Sequence, residues 1–388
     1  MKKITVLLLD GQTVQALPFM ESLNRNGYEI IIFCDTRNSY GYRSRFPDKK
    51  IICPKWSINP EIFKDFFFKF IKNNKIDVVV PMNDDSARFL SKYKDYYIKD
   101  ISCSIPDYET FNKGYDKNKL MKICKQLGFP QPNTADLEVL SLEESLEITG
   151  LPAILKPNFT AGGRGMRIIN SIDELNDCYP DIRKVYGPCH IQNYIGSGGN
   201  QFKVQIFTNQ KGCEIATVMK KVRYYPEKGG SSACNITVSR PDLVEKGLKI
   251  LNEIKWEGFA DFDMIEDPDD NVVKFMEMNP RIPACIRTAF VSGVDFAEII
   301  IDHSLKNPIK KYQYNPGKVL RFLGLDILWF IKSNRRFKAK PNWFNFFGEN
   351  VYYQDGSFKD PKPFIFGTIN NIGKLFNPKF MKEKNGLQ

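Results

Sequence analysis

Three oxygen-bearing side chains stand out because they lie within apolar segments of the chain. Asp263 sits in a stretch that alternates acidic and apolar residues, and Glu277 and Asn279 follow a polar turn at 267–271. If the two stretches pair as a hairpin, Asp263 lies across from Glu277 and Asn279, which share one face. Such oxygen donors suit Mg²⁺. An exposed acidic hairpin is the alternative, but it does not explain acids placed among Phe and Met side chains.

A second candidate site combines a lysine with a glycine-rich loop. An apolar strand pattern ends at Lys156, and the loop Thr160-Ala-Gly-Gly-Arg-Gly-Met-Arg167 follows it. Glycines lack a Cβ, so backbone N–H groups of this loop can approach an anion closely, and its two arginines add charge. The pattern of a P-loop is absent. The stretch predicts a phosphate site, with a glycine hairpin that binds nothing as the alternative.

The elements before these sites predict an α/β domain with a parallel sheet and helices on both faces. Strand patterns cover 4–9, 28–33, 51–52 and 78–80, and helical patterns cover 14–24, 62–71 and 86–93. No Gly-x-Gly-x-x-Gly turn follows the first strand, so we expect no dinucleotide there. Asp10 and 83–85 follow strands, where open sheets bind ligands, although such residues also cap helices.

Residues 116–293 resemble the ATP-grasp superfamily, the fold of biotin carboxylase, carbamoyl phosphate synthetase and D-alanine–D-alanine ligase. The resemblance rests on Asp263, followed fourteen residues later by Glu277-x-Asn279-Pro-Arg281, and on the lysine and glycine loop upstream. It implies a Rossmann-like α/β pre-ATP-grasp domain with a parallel sheet at 1–105 and an α+β ATP-grasp domain at 106–304 with a lid at about 153–194. A basic, aromatic C-terminal extension at 305–388 lies outside the part of the chain that shows the resemblance.

The resemblance implies that the cofactors are ATP and Mg²⁺, with Mn²⁺ as an alternative ion. Lys117 would contact the nucleotide and Lys156 would reach its phosphates. The other implied nucleotide contacts lie in the lid loop and in the hinge: Gly162, Gly163, Arg164, Gly165, Gln192, Asn193 and Ile195. The implied metal ligands are Asp263, Glu277 and Asn279. The hinge of the family often begins with Glu, and the amide of Gln192 can still bond the adenine amino group.

A further group of cations is implied on the substrate side. Arg281 would contact the γ-phosphate or the acyl phosphate. Lys220, Arg223 and the loop Gly229-Gly230-Ser231-Ser232 would face the substrate. Arg287 has the planar fork that suits a carboxylate, with a surface salt bridge as the alternative.

The implied reaction activates a carboxylate as an acyl phosphate and joins it to an amine. The partners would be a small-molecule acid and amine, such as an amino acid, a peptide or a cell-envelope precursor. Two alternatives stay open. One is carboxyphosphate formation, as in carbamoyl phosphate synthetases, and the other is a non-catalytic nucleotide-binding module that acts in envelope polymer assembly.

Cysteine usage and hydropathy bear on location. The nine cysteines are odd in number and show no Cys-x-x-Cys spacing, which favours reduced thiols in a cytoplasmic protein. No stretch approaches the length of a membrane span, and the apolar run after Met1 is too short for a signal peptide. His190 and His303 are predicted to be structural, because the sequence around them suggests no catalytic partner.

The formal net charge of +11 is concentrated in the last fifth of the chain. Residues 305–388 contain 16 basic and 5 acidic residues, whereas the first 304 residues balance at 40 of each. This extension is also rich in aromatic residues, and three interpretations stay open. It forms a small subdomain on the core, or it contacts a lipid-linked substrate or the inner membrane face, or, with the least support, it binds nucleic acid. A homodimer is a further expectation.

Overall fold

The computed structural model describes residues 3–160, 163–209, 211–226 and 230–373. The first unit is a four-stranded parallel sheet in the order β3-β2-β1-β4, so the predicted parallel sheet is confirmed. Its elements are β1 (Thr5–Leu9), α1 (Ala16–Arg25), β2 (Glu29–Cys34), α2 (Tyr40–Arg43), β3 (Lys49–Ile52), α3 (Pro60–Asn73), β4 (Val78–Pro81), α4 (Asp84–Lys92) and α5 (Lys94–Tyr97). β1 is buried along its whole length, as its uninterrupted apolar sequence requires.

The second unit is a small antiparallel sheet, in the order β5-β8-β6-β7, with helices packed on it. Helices α6 and α7 precede it, and α7 begins where Asp116 caps the backbone N–H groups of its first turn. The elements are α6 (Tyr108–Tyr115), α7 (Lys117–Gln126), β5 (Thr134–Asp136), α8 (Leu142–Thr149), β6 (Ala153–Pro157), β7 (Arg167–Ile169), α9 (Ile172–Tyr186) and β8 (Cys189–Asn193). The layer therefore begins with β5, upstream of the start predicted for the lid.

The third unit is a seven-stranded sheet in the order β13-β12-β9-β10-β11-β14-β15. Its elements are β9 (Gln201–Thr208), β10 (Glu214–Tyr225), β11 (Ser231–Thr237), α10 (Pro241–Glu253), β12 (Gly258–Glu266), β13 (Val273–Asn279), α11 (Arg287–Val291), α12 (Phe296–Ser304), β14 (Val319–Arg321), α13 (Leu323–Lys332), β15 (Val351–Tyr353) and α14 (Pro361–Gly373). Strand β9 lies between β12 and β10, which brings residues distant in sequence side by side.

The extension contributes two strands to this sheet and a helix that packs on it. Strand β14 pairs with β11, β15 pairs with β14, and Leu325, Leu328 and Trp329 of α13 pack on the sheet. The described part of the extension therefore packs against the large sheet, and its role stays a prediction. Residues 374–388, which carry four of the basic residues, lie outside the described chain.

A buried ion cluster, here called the extension cluster, consists of Arg223, Arg321 and Asp326. Asp326 is fully buried and accepts hydrogen bonds from Arg223 Nε and Nη2 at 2.6 and 2.8 Å and from Arg321 Nε at 2.7 Å. Both guanidinium groups also lie over aromatic rings, Arg223 over Trp329 and Arg321 over Phe346. Two guanidinium groups share one carboxylate, and each also donates to a backbone carbonyl, Arg223 to Pro341 and Arg321 to Asn345. These bonds can hold the extension on the sheet at low dielectric.

Two expectations on location are addressed by the structure. In the described part of the chain, no helix is both long and apolar enough to span a membrane. All nine cysteines lie among the described residues and are free thiols, as the odd count and spacing predict.

Candidate active site

The predicted hairpin is formed by β12 and β13. Asp263 pairs directly with Glu277, and Asp261 pairs with Asn279, so the oxygen-bearing side chains come together as expected. Asp267 occupies the turn and accepts a hydrogen bond from Lys274 Nζ at 2.6 Å. The pairing of these strands is therefore confirmed, and the acids lie on the hairpin rather than in an exposed turn.

Two lysines that the sequence analysis did not select meet these acids. Lys203 Nζ on β9 lies 2.6 Å from Asp261 Oδ2 and 2.7 Å from Asp263 Oδ2, and Lys221 Nζ on β10 lies 3.2 Å from Asp263 Oδ1. The four side chains are here called the cleft cluster. The side chain of Asp261 is fully buried, whereas those of Lys203 and Asp263 are 12% and 16% exposed. One end of the cluster therefore reaches the solvent.

The environment shifts the pKa values of the two acids in opposite directions. Burial raises the pKa of Asp261 to about 6, although Lys203 opposes this effect. Burial also acts to raise the pKa of Asp263, but Lys203 and Lys221 outweigh it and hold that pKa well below its usual range. Asp263 is therefore the ionised oxygen donor at the open end of the cluster.

Lys221, and not Lys220, faces this site. Lys220 pairs with Phe202, whose side chain belongs to the hydrophobic core on the other face of the sheet. Neighbouring side chains alternate along a strand, so Lys220 and Lys221 project to opposite faces. The predicted role of Lys220 on the substrate side is therefore corrected to Lys221.

Arg281 links the hairpin to the first unit. Its Nη2 donates to Asn279 Oδ1 at 3.1 Å, and its Nε lies 3.3 Å from Asp84 Oδ1 at the start of α4. Burial acts to lower the pKa of Arg281, but four nearby acids outweigh it and raise that pKa. The guanidinium keeps its charge beside the predicted metal ligands. Asn83 forms a capping box with Ser86, which is the capping role left open for this stretch.

Lys117, at the start of α7, and Lys156, on β6, both lie near Glu277 of the hairpin. Lys117 Nζ lies 3.4 Å from Glu277 Oε2 and donates to the carbonyl of Thr160 at 2.5 Å. Lys156 is buried and donates to Gln192 Oε1 at 2.6 Å. Burial lowers the pKa of Lys156 to about 8, Glu277 opposes this shift, and Lys117 reinforces it. Both predicted nucleotide lysines therefore belong to one cleft.

The hinge residues lie at the end of β8 and directly after it. The Gln192 side chain is fully buried, and its amide accepts from Lys156 and donates to Thr134 Oγ1 at 3.0 Å. These bonds occupy the groups that were predicted to read adenine, so in this conformation the side chain supports Lys156. Asn193 and Ile195 are half-buried at the end of the strand. Recognition of a base would then fall on the chain at 193–195.

Two predicted substrate arginines have structural partners instead. Arg223 is buried in the extension cluster and donates to Asp326. Arg287 donates to the carbonyl of Gln354 and to Glu21 Oε2, both at 3.1 Å. These bonds replace the predicted substrate contacts, because a guanidinium held in this way by buried partners has little freedom to bind a ligand. For Arg287, the structure therefore shows a salt bridge, the alternative to a substrate contact.

Both histidines have hydrogen-bonded partners. His190 is fully buried, its Nδ1 lies 2.7 Å from Asn158 Oδ1, and burial lowers its pKa well below the usual value. His303 lies between Ser104 Oγ at 2.9 Å and Glu257 Oε1 at 3.0 Å. Both rings join separate segments of the chain, which is consistent with the structural role predicted for them.

Comparisons with known proteins agree on one superfamily. Residues 116–308 match the family described as the carbamoyl-phosphate synthase L chain, ATP binding domain. The carbamoyl phosphate synthase large chain, C-terminal section, of Methanopyrus kandleri is 24% identical over 219 residues, which are 50% of this chain and 40% of that relative. The chain thus matches well under two thirds of the relative's length.

Solved structures show the same fold over most of the chain. A biotin carboxylase from Campylobacter jejuni aligns with a TM-score of 0.69 and 19% identity, covering 82% of this chain and 75% of the other. An L-amino acid ligase from Bacillus licheniformis aligns with a TM-score of 0.61 and 16% identity, covering 79% and 75%. The chain belongs to the ATP-grasp superfamily. The resemblance stated from the sequence is confirmed.

The ATP-grasp lid loop is described in part. Gly163 and Gly165 have φ angles of +75° and +74°, which favour glycine, and a Cβ on Gly165 would lie 2.8 Å from the ring of Tyr186. Gly162 and Gly229 fall outside the described residues, so their roles stay predictions. A side chain at position 165 would therefore clash with Tyr186 and with Pro157 at the end of β6.

The ATP-grasp hairpin offers a donor set that fits Mg²⁺. Asp263 Oδ1 is buried without a hydrogen bond, Glu277 lies directly across the hairpin, and Asn279 shares the face of Glu277. Within the described residues, no three His, Cys, Asp or Glu side chains form a group that could hold a metal alone. These three residues would therefore hold Mg²⁺ together with phosphate oxygens and water.

Proposed function

We propose that this ATP-grasp protein is an ATP-dependent ligase that activates a carboxylate as an acyl phosphate and joins it to an amine. The observation that carries the proposal is the meeting of the cations Lys117, Lys156 and Arg281 with the hairpin acids in one cleft. No protein nucleophile is needed for such chemistry, which depends on positioning and on charge neutralisation.

The reaction would run in two balanced steps. A carboxylate oxygen of the acid forms a bond to the γ-phosphorus, the bond from that phosphorus to its bridging oxygen breaks, and ADP leaves. The amine then attacks the acyl carbon, the bond to phosphate breaks, and the amine loses a proton. Mg²⁺, when bound, neutralises charge on the phosphoryl oxygens.

Each cationic side chain of the cleft has its own role in this proposal. Lys156 and Lys117 hold the phosphates, and Arg281 stabilises the negative charge that develops on the transferred phosphoryl group. Asp84 and Asn279 orient the guanidinium of Arg281 through contacts of 3.3 and 3.1 Å. This arrangement supports phosphoryl transfer at the junction between the first unit and the large sheet.

The second candidate is carboxyphosphate formation from bicarbonate, which is favoured by the match to the carbamoyl-phosphate synthase ATP-binding domain. The same cations and hairpin acids would serve it, so the geometry does not separate the two reactions. Nucleotide binding without turnover is the third outcome to distinguish.

Phosphate release from ATP by the purified chain separates these candidates. We expect release that depends on both an acid and an amine, with panels of amino acids and uronic acids as substrates. Release that needs only bicarbonate would support the second candidate, and nucleotide binding without release under any condition would contradict both reactions. Glu277→Gln is the matched inactive control, and Asp269→Asn in the exposed turn is the active control.

The location and partners are part of the same proposal. We place the enzyme in the cytoplasm, with a small acid and amine as substrates and a homodimer as its assembly. Contact of the extension with an anionic membrane surface is supported by exposed side chains, since Phe337, Phe344 and Phe347 are 70%, 55% and 85% exposed. The same part of the chain contains five lysines and arginines at 332–340, a composition typical of membrane-surface segments.

A further inference from the structure

Lys203 is a charged residue in the cleft for which the proposed mechanism has no step. Its Nζ lies 2.6 Å from Asp261 Oδ2 and 2.7 Å from Asp263 Oδ2, so one ammonium group bridges both acids of β12. The register places Lys203 directly beside Asp263 on the neighbouring strand. Since strand pairing fixes this position, the contact is built into the sheet and not made by a mobile surface side chain.

The position of Asp261 explains why such a cation is needed. Asp261 and Asp263 are two residues apart on one strand and therefore share a face, where like charges repel. Asp261 is fully buried, and a buried carboxylate without a partner is strongly destabilising. Lys203 supplies the compensating charge from the neighbouring strand.

Lys221 completes the local balance. Its Nζ lies 3.2 Å from Asp263 Oδ1, an oxygen that has no hydrogen bond. The cleft cluster thus contains two ammonium groups and two carboxylates. Glu277, across the hairpin, in turn has Lys117 at 3.4 Å. The acids that would attract a divalent ion are already matched by cations of the protein itself.

We infer that Lys203 is a built-in cation that makes binding of a divalent metal depend on bound nucleotide. Lys203 neutralises the acids of β12, so the metal alone finds too little negative charge, and a nucleotide supplies the missing charge and oxygen ligands through its phosphates. The inference rests on the proposed function, in that the cleft binds a metal–nucleotide complex. Lys203 is a positioning residue in this scheme, because it acts through Asp263.

The test uses Mn²⁺ as the probe, with free Mn²⁺ followed by electron paramagnetic resonance. We expect the wild-type chain to bind Mn²⁺ at least about 10-fold more weakly without nucleotide than with a non-hydrolysable ATP analogue. In Lys203→Met the uncompensated acids should bind Mn²⁺ without nucleotide, at least about 10-fold more tightly than wild type does. Lys203→Arg keeps the charge and should retain the dependence on nucleotide.

Two results would overturn the inference: tight Mn²⁺ binding to the wild type without nucleotide, or no gain of binding in Lys203→Met. If Lys203→Met does not fold, Asp261→Asn decides the question. This variant removes one negative charge and keeps Lys203, so we expect weaker Mn²⁺ binding in the presence of the analogue, and an unchanged affinity would contradict us.

Failure of the proposed function would give a different pattern. Binding of the nucleotide analogue is measured separately by calorimetry without metal. A chain that binds no nucleotide, or that turns over no substrate, contradicts the proposed function. A chain that binds nucleotide but takes up Mn²⁺ equally well without it contradicts only the role of Lys203.

Discussion

The cleft cluster and the extension cluster are two ion clusters on the same large sheet, and they differ in how they are closed. In the extension cluster, two guanidinium groups donate hydrogen bonds of 2.6 to 2.8 Å to Asp326, and each guanidinium lies over an aromatic ring. In the cleft cluster, lysines meet the acids, one end reaches the solvent, and Asp263 Oδ1 is held only by the longer contact of 3.2 Å with Lys221 Nζ. The closed extension cluster is suited to a structural role, whereas the partly open cleft cluster is suited to binding a ligand.

The chemistry of the two cations accounts for this contrast. A guanidinium is planar and forms bidentate bonds with a carboxylate, which suits a permanent buried pair. An ammonium group is a compact point charge whose contacts can be rearranged when phosphates arrive. The predictions below test whether the cleft cluster acts in catalysis and the extension cluster acts in stability.

Removing a cleft acid should have the largest effect. Asp263→Asn and Glu277→Gln should each lower the rate of ATP turnover by about 1,000-fold or more, because each replaces a charged ligand of the metal by a neutral amide and removes a charge that positions the cations. The melting temperature should stay close to that of wild type. Phosphate release measures the rate and thermal melting measures the stability. Full activity of both variants would contradict the assignment of the hairpin acids to the active site.

Removing the extension acid should affect stability instead. Asp326→Asn leaves two buried guanidinium groups without a charged partner, which should lower the free energy of unfolding by about 3–5 kcal/mol. Urea denaturation measures this change, and the exposed Glu349→Gln serves as a control of the same charge change. ATP turnover per folded molecule should be unaffected, and a selective loss of turnover would break the division between the clusters.

A pH titration sharpens the view of the cleft. The pKa of Lys156 is lowered to about 8 by burial, so its ammonium is present below pH 8 and is lost above it. If the charged form holds the phosphates, the affinity for ATP should fall by about 5-fold between pH 8 and pH 9 and by about 10-fold for each further pH unit. Lys156→Arg keeps its charge throughout, so its affinity should be independent of pH in this range. An equal slope in both proteins would exclude Lys156 as the titrating group.

The smallest effect is expected on the outer surface of the extension. Replacing the exposed Phe337 and Phe344 by serine should weaken binding to vesicles of anionic lipid by about 3- to 10-fold. Neutral vesicles serve as the comparison, and flotation is the measurement. ATP turnover and the extension cluster should be unchanged, since both side chains lie outside the cleft. Equal binding by wild type and variant would contradict the proposed membrane contact.

Local sequence patterns predicted much of the framework. Apolar strand runs and the helical spacing between them located the parallel sheet. The hairpin pairing of Asp263 with Glu277 followed from alternation and a polar turn. These features depend on neighbours within about twenty residues, where periodicity and turn chemistry are informative.

The errors share a cause, which is the distance in sequence between partners. Arg223 was assigned to the substrate because its partner, Asp326, lies 103 residues away. The bond of Gln192 to Lys156 was not anticipated either, because it requires β6 and β8 to pair. Lys220 was selected over Lys221 because the sequence did not show which face of β10 points toward the hairpin.

The sequence by itself determined the parallel sheet of the first unit, the pairing of the hairpin acids and the superfamily. The tertiary structure alone decided which cations lie beside the hairpin acids and which hold the extension. The reason is physical: Lys203 reads as an ordinary residue of an apolar strand until β9 lies between β12 and β10, and only then does its ammonium meet two carboxylates. The same long-range pairing incorporates β14 of the basic extension into the sheet, where Arg321 helps to hold α13 in place.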